Sequence, residues 1–249
     1  MKILIVPDKF KGTLTAQAAA EAIARGWLVA RPEDSLKMLP MSDGGDGFGE
    51  VMAKLLGAKP QLMPTTDAAH RSLKARWWWV EKNKTALIES AQVIGLAQLS
   101  TLRSRSATED GPPGKFHPFE LDTFGLGKIF QAAVKRGAKK ILIGIGGSAT
   151  NDGGFGLARA LGWKFLDARG DEIKNWPDLV KLKTISKPSL KRFPKVVVAV
   201  DVQNPLLGKR GATRVYGPQK GLRSEDLPRA EEALKRLAMV CSGGLRPSP

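Results

Sequence analysis

The chain has little of what builds metal clusters and cross-links. One cysteine, Cys241, in 249 residues excludes an internal disulfide and any multi-cysteine zinc site. Two histidines, His70 and His117, are too few for a histidine-based metal cluster. No apolar run reaches the ~18 residues of a membrane-spanning helix. The opening MKILIVPDKF has a short apolar run cut off by Pro7-Asp8, too short for a secretory signal, so the cytosol is the expected compartment. A Walker A loop, G-x-x-x-x-G-K-[ST], is absent from the chain. Acid is scarce too: 24 Asp and Glu against 40 Lys and Arg give a net charge of +16, which favours anionic partners. The bases are dispersed, however. The densest stretch carries Lys181, Lys183, Lys187, Lys191, Arg192 and Lys195 with no acid and no aromatic interleaving. It reads as a solvated face. With no zinc-finger, RNP or heptad pattern, no nucleic-acid partner is expected.

What is there reads as α/β. Lys2 to Val6 predicts a short buried strand, and Thr15 an N-cap for a helix over about 16–30. Ser35 to Leu39 predicts a second strand, followed by a glycine-rich turn and a short helix stopped by Gly57. This is the start of a parallel layer. Residues 61–66, 72–80 and 85–90 look extended and antiparallel, with Trp77 and Trp79 on one face and a turn at Lys82-Asn83-Lys84. A domain boundary is therefore placed near residue 66. Residues 100–119 read as a surface loop. A helix over about 124–136, a strand at 140–145, a helix near 154–161 and a strand at 163–167 follow. Val196 to Val200 predicts a buried strand ending in Asp201, and a last helix covers about 224–240.

Four segments carry candidate chemistry. The first is Gly144-Ile145-Gly146-Gly147-Ser148-Ala149-Thr150-Asn151-Asp152-Gly153-Gly154, between a strand and a helix. Glycines there let backbone N–H groups approach an anion, and the helix start adds positive potential. Ser148, Thr150 and Asn151 can donate to oxygens, and Asp152 can accept a proton. The alternative is a tight strand-to-helix turn with Asp152 as its N-cap, but three polar side chains and an acid inside five glycines exceed what a turn needs. The same segment imitates a dinucleotide fingerprint, Gly144-x-Gly146-x-x-Ala149 with Asp167 after the next strand, so a Rossmann-type NAD-dependent oxidoreductase competes. The paired Gly153-Gly154 weighs against it, because they would weaken the helix that fold requires. The second segment is Ser42-Asp43-Gly44-Gly45-Asp46-Gly47, with two carboxylates that could bind metal or orient a hydroxyl. The third is Pro7-Asp8-Lys9-Phe10-Lys11-Gly12-Thr13, at a strand end where open α/β sheets bind ligands. The fourth runs from Asp201 to Gly221 and opens on an acid at a strand end. A non-catalytic basic binding protein is the third reading.

Taken together, these segments resemble the type I glycerate kinase family. Pro7 to Leu14, Pro40 to Gly47, Ile143 to Gly154 and Asp201 to Gly221 stand in that family's order, and Ala86 to Ala91 with Gly95-Leu96 is similar to its segment after the antiparallel hairpin. The resemblance implies ATP-dependent phosphorylation of D-glycerate with Mg²⁺, in a cleft between a Rossmann-like domain and a second, inserted mixed α/β domain. It implies catalytic work for Asp8, Lys11, Asp43, Asp152 and Asp201. Gly44, Gly45, Gly146, Gly147, Ser148, Thr150 and Asn151 would contact substrate or phosphate, and Asp43, Asp46 and Asp201 would hold metal. Two departures stand out. Leu126 sits where the family's loop usually carries Thr or Ser, and family chains continue past residue 249. On that basis residues 1–65 are expected to form an incomplete Rossmann-like domain, 66–249 the second domain, and 242–249 an unstructured tail. Weak or no glycerate phosphorylation and a tendency to self-associate are expected with it.

Overall fold

The computed structural model describes residues 1–10, 12–103, 116–188 and 193–243. Lys11, residues 104–115 of the expected surface loop, and 244–249 of the tail lie outside the described residues.

Strand β1 (Lys2–Ile5) and helix α1 (Ala16–Ala30) open the chain, and β2 (Ser35–Met38) pairs parallel to β1 with Ile5 opposite Met38. Thr15 caps α1 by accepting from the Ala18 N–H at 3.1 Å. Ala20 and Ala24 of α1 pack on Ile5, Ile3 and Leu36. The opposite face is bare. β1 is therefore not the buried strand expected of it: Leu4 is 57% exposed. A parallel pair needs cover on both faces, and here only α1 supplies it.

Helix α2 (Phe48–Leu56) runs between two left-handed glycines, Gly47 and Gly57. The sheet then changes. Strands β3 (Lys59–Thr66), β4 (Ser72–Val80) and β5 (Thr85–Glu89) form an antiparallel run. β3 pairs along its length with β4, so the change of sheet falls between α2 and β3 rather than near residue 66. Trp77 and Trp79 share one face and enter the main core, as the alternation predicts. Trp78 points the other way, under α2, where Gly49 leaves room: a Cβ at Gly49 would lie 1.8 Å from the Trp78 ring.

Helices α3 (Ala91–Ile94), α4 (Leu96–Arg103) and α5 (Phe124–Lys135) lead to β6 (Lys140–Gly144). Residues 100–103 thus continue α4 instead of opening a loop. Helix α6 (Phe155–Ala160) follows, then an antiparallel pair, β7 (Lys164–Leu166) with β8 (Thr184–Ser186), apart from the main sheet. β9 (Lys195–Ala199) returns to lie parallel to β6. The five-stranded order is β3-β4-β5-β6-β9. β9 is an edge, and Val198 is 49% exposed, so it too is not the buried strand its valines suggest. Helices α7 (Ala212–Lys220) and α8 (Leu227–Cys241) close the described chain. α7 was not anticipated, because Gly217-Pro218 and Gly221 read as loop.

Two cores result. One lies between the main sheet and α5, around Trp77, Ile88, Ile129 and Ile141. The other gathers Phe155, Phe165, Trp176 and Leu234 around α8. The parallel strands β5, β6 and β9 end level, with Glu89 beside Gly144 and Gly144 beside Ala199. The candidate site grows from that level edge.

Candidate active site

Two glycine loops meet at the strand ends. The Gly146 N–H donates to the Gly44 carbonyl at 3.0 Å, and the Ile145 N–H reaches the Ala199 carbonyl at 3.4 Å. The approach leaves no room for side chains. A Cβ at Gly44 would stand 2.5 Å from the Ala199 carbonyl oxygen, and one at Gly146 would stand 2.7 Å from the Gly45 Cα. These glycines therefore hold backbone against backbone. Their N–H groups are also occupied: Gly44 donates to Ser42 Oγ, and Gly45 to Asp43 Oδ1 at 2.7 Å. Gly44, Gly45 and Gly146, expected to contact substrate or phosphate, thus spend these N–H groups on acceptors within the chain. The N–H groups of Gly147 and Ser148 donate to nothing among the described residues, and Gly147 faces the Asp46 carboxylate.

The first loop folds onto the second strand's loop through carboxylates. Asp8 accepts from the Lys9 N–H at 2.6 Å and the Asp43 N–H at 3.0 Å. Asp43 Oδ1 also accepts from Lys9 Nζ at 3.2 Å. Burial pushes the Asp43 carboxyl up, but the Gly45 N–H and the Lys9 ammonium outweigh it and hold the group below its ordinary value. Beside this knot opens a cleft of about 690 Å³, walled by Phe10, Leu14, Met41 and Leu55 and edged by Asp8 and Asp46. It sits at the C-terminal end of the β1–β2 pair, where open α/β sheets bind ligands.

The second loop is fixed from behind. Asp152 is 1% exposed. Its Oδ2 accepts from the Thr123 N–H at 2.9 Å, the Thr123 hydroxyl at 2.8 Å and the Gly156 N–H at 2.9 Å, and Oδ1 from the Gly154 N–H at 3.2 Å. Burial raises its carboxyl above the ordinary range despite these donors. Asp152 thus ties the starts of α5 and α6 together and presents no oxygen to the cleft. Asn151 is buried and donates to Thr213 Oγ1 at 3.1 Å. Thr150, also buried, offers its carbonyl to Lys220 Nζ at 2.6 Å, and Ser148 Oγ receives the same ammonium at 3.2 Å. Burial lowers the Lys220 ammonium to about 8, with Asp152 pulling the other way. Of the loop side chains, Ser148 alone is half-buried rather than buried or exposed among those expected to touch ligand.

Asp201 lies exposed beyond β9 and accepts no hydrogen bond from the described residues. Among the described residues, no three His, Cys, Asp or Glu side chains gather in a way that could hold a metal ion. The expected set of Asp43, Asp46 and Asp201 is therefore not assembled: Asp43 turns to Lys9 and Gly45, and Asp201 stands apart. Lys11 lies outside the described residues. Glu89, to which no role was given, is buried at the end of β5, accepting from the Gly49 N–H at 2.9 Å, and burial raises its carboxyl. Lys220 was also missed. Both lie inside segments that carry the resemblance, Ala86 to Ala91 and Asp201 to Gly221, but nothing in those segments singled out either side chain.

The dinucleotide alternative fails on topology. β7 is not in the sheet of β6, and Asp167 closes its own turn, accepting from the Arg169 and Asp171 N–H groups at 2.8 and 3.0 Å. Gly153 and Gly154 are left-handed, at φ 60° and 81°, and keep the helix from starting before Phe155.

The fold and site define a mixed α/β protein with a parallel-rich sheet whose strand-end loops, glycine-rich and carboxylate-bearing, converge beside a cleft. Residues 3–247 match the model of the glycerate kinase family, and the chain belongs to that family. It is 37% identical to a glycerate kinase of Bacillus subtilis strain 168 over 98% of its own length and 62% of that protein. It is 35% identical to the glycerate 2-kinase of Escherichia coli K12, again over 98% and 62%. A solved structure of a Salmonella typhimurium LT2 protein, assigned as glycerate kinase 2, superposes with a TM-score of 0.79 at 34% identity, covering 98% of this chain and 63% of that one. The chain thus spans about three fifths of the length of these relatives.

Proposed function

We propose that the chain's site transfers the γ-phosphoryl group of ATP to D-glycerate. The observation that carries this reading is the meeting of the Asp43–Asp46 loop with the Gly146–Thr150 loop at the strand ends, beside a cleft large enough for a nucleotide. Phosphoryl transfer asks a protein chiefly for positioning and for charge opposite the transferring group. The apolar wall of Phe10, Leu14 and Met41 suits a nucleoside. The Gly147 and Ser148 N–H groups and the Ser148 hydroxyl suit an anionic oxygen, and Lys9 and Lys220 supply positive charge. Asp8, at the cleft edge, takes the hydroxyl proton. Mg²⁺ bound with a nucleotide needs only one or two carboxylates besides phosphate oxygens. Asp46 fits that need, because it accepts no hydrogen bond from the described residues and edges the cleft. When bound, the ion would neutralise charge on the phosphates. Asp152 and Asn151 position the loop and do not touch substrate.

The parallel β1–β2 pair is the start of a Rossmann-like domain over residues 1 to about 57, and the five-stranded sheet belongs to the second domain. No helix among the described residues is long and apolar enough to cross a membrane, and the cytosol is the proposed setting. A coupled ADP-release assay tests the function: ADP must form only when D-glycerate is present. Competition with NADH tests the alternative, since a phosphotransferase site should bind ATP and ignore NADH.

A further inference from the structure

Lys220 ends α7 against the loop that joins β6 to α6. The helix is held there from both ends. Thr213, in its first turn, is buried and accepts from Asn151, and Gly221, at φ 107°, stops the helix directly after Lys220. The ammonium is consequently delivered to Ser148 Oγ and the Thr150 carbonyl at 3.2 and 2.6 Å. An ammonium has three donors and no lone pair. Ser148 must therefore accept from it, and the serine's own hydroxyl proton must go elsewhere. No acceptor for that proton lies among the described residues. The unoccupied N–H groups of Gly147 and Ser148 stand beside it. The hydroxyl and these two N–H groups, on consecutive residues, are donors that an anionic oxygen could accept from together. Without the ammonium, the Thr150 carbonyl would lose its donor and could draw the serine hydroxyl inward.

We propose that Lys220 is a positioning residue of this site: its Nζ holds the Ser148 hydroxyl outward as a hydrogen-bond donor to an anionic substrate oxygen, a carboxylate or a phosphoryl group. The inference rests on the kinase reading above. Asp152, from the loop before α6, is the titratable group facing Lys220, with Asp122 behind it, and Arg214 on α7 itself is exposed. Burial lowers the Lys220 ammonium to about 8; once it loses its proton, the amine gains a lone pair that can accept the Ser148 hydroxyl proton, so the hydroxyl is no longer held outward.

Isothermal titration of the 249-residue chain with D-glycerate and with MgATP, separately, at pH 7 and pH 9.5, tests the proposal. The variants are Lys220→Met, Lys220→Arg and Ser148→Ala, each checked for folding by urea denaturation. Lys220→Met should weaken one of the two ligands by about tenfold or more, the scale of a charge-assisted hydrogen bond. Loss on D-glycerate identifies the carboxylate as the oxygen, and loss on MgATP the phosphoryl group. The wild type should lose the same affinity at pH 9.5. Lys220→Arg, which stays charged, should keep it, a result that a merely structural role would not give. If Lys220→Met does not fold, the pH comparison between the wild type and Ser148→Ala decides: the serine variant must show no alkaline loss. Binding by Lys220→Met equal to wild type, or an alkaline loss that survives in Ser148→Ala, overturns the inference and leaves the kinase reading standing. A wild type that binds neither ligand overturns both.

Discussion

Replacing Asp152 by Ala should unfold much of what holds the glycine loop. The carboxylate is the acceptor for the Thr123 N–H, the Thr123 hydroxyl and the Gly156 N–H, all buried, and for the half-buried Gly154 N–H. Each buried donor left without a partner costs about 1–3 kcal/mol. The loss is offset by removing a desolvated carboxylate, whose cost shows in its raised protonation range. The net expectation is a loss of about 3–5 kcal/mol, the size seen when one side of a buried charged network is deleted. That is a large share of the ~5–15 kcal/mol by which domains are stable. Asn is isosteric but presents a donor to one of the two groups of N–H donors, so Asp152→Asn should cost about 1–2 kcal/mol. Urea denaturation followed by tryptophan fluorescence measures both, as a shift of midpoint at constant slope. A stability change within ~0.5 kcal/mol for Asp152→Ala, together with abolished ATP or glycerate binding, would refute the structural role and return Asp152 to the chemistry.

Gly44→Ala should destabilise more than Gly47→Ala. Both are left-handed, at φ 91° and 86°, but only the Gly44 Cβ meets backbone, 2.5 Å from the Ala199 carbonyl, so thermal midpoints should separate the two variants. Gly49→Ala should displace Trp78, lowering stability by roughly 1–3 kcal/mol and shifting tryptophan emission. Glu89→Gln should stabilise the protein at neutral pH. Burial raises this carboxyl above 4.5 in the folded chain, so the folded state binds its proton more tightly than the unfolded one and bears a cost once it ionises. The gain should be full above the raised folded value and vanish below about pH 4.5, which stability measured across pH 4 to 8 would show.

The loops that make the site were legible because each is a short run of glycine and acid at the end of an apolar strand. Asp8, Asp43 and Ser148 do stand at strand ends that meet. What could not be read was direction. The spacing of Gly44, Gly45 and Gly146 is the same whether their N–H groups face a phosphate or the chain itself, and only the folded contacts, such as the Gly146 N–H on the Gly44 carbonyl at 3.0 Å, show which. Asp152 looked catalytic because an acid among glycines is rare, yet its partners, Thr123 and Gly156, lie 29 and 4 residues away. Lys220 is 72 residues from Ser148 and belongs to a helix that Pro218 and two glycines disguise. β1 and β9 were misjudged for a related reason. Valine and isoleucine runs report a preference for burial, but whether a neighbour covers them depends on the rest of the sheet. The boundary was placed near residue 66 because antiparallel character becomes visible only with the second strand of a pair, and β3, which joins that sheet, is the first.

Phosphoryl transfer itself tests the account most directly. The purified chain, incubated with γ-labelled ATP, Mg²⁺ and D-glycerate, should yield labelled phosphoglycerate, slowly, with one ADP formed per product and none without glycerate. A folded chain that forms no labelled phosphoglycerate, or that hydrolyses ATP at the same rate with and without D-glycerate, would contradict it.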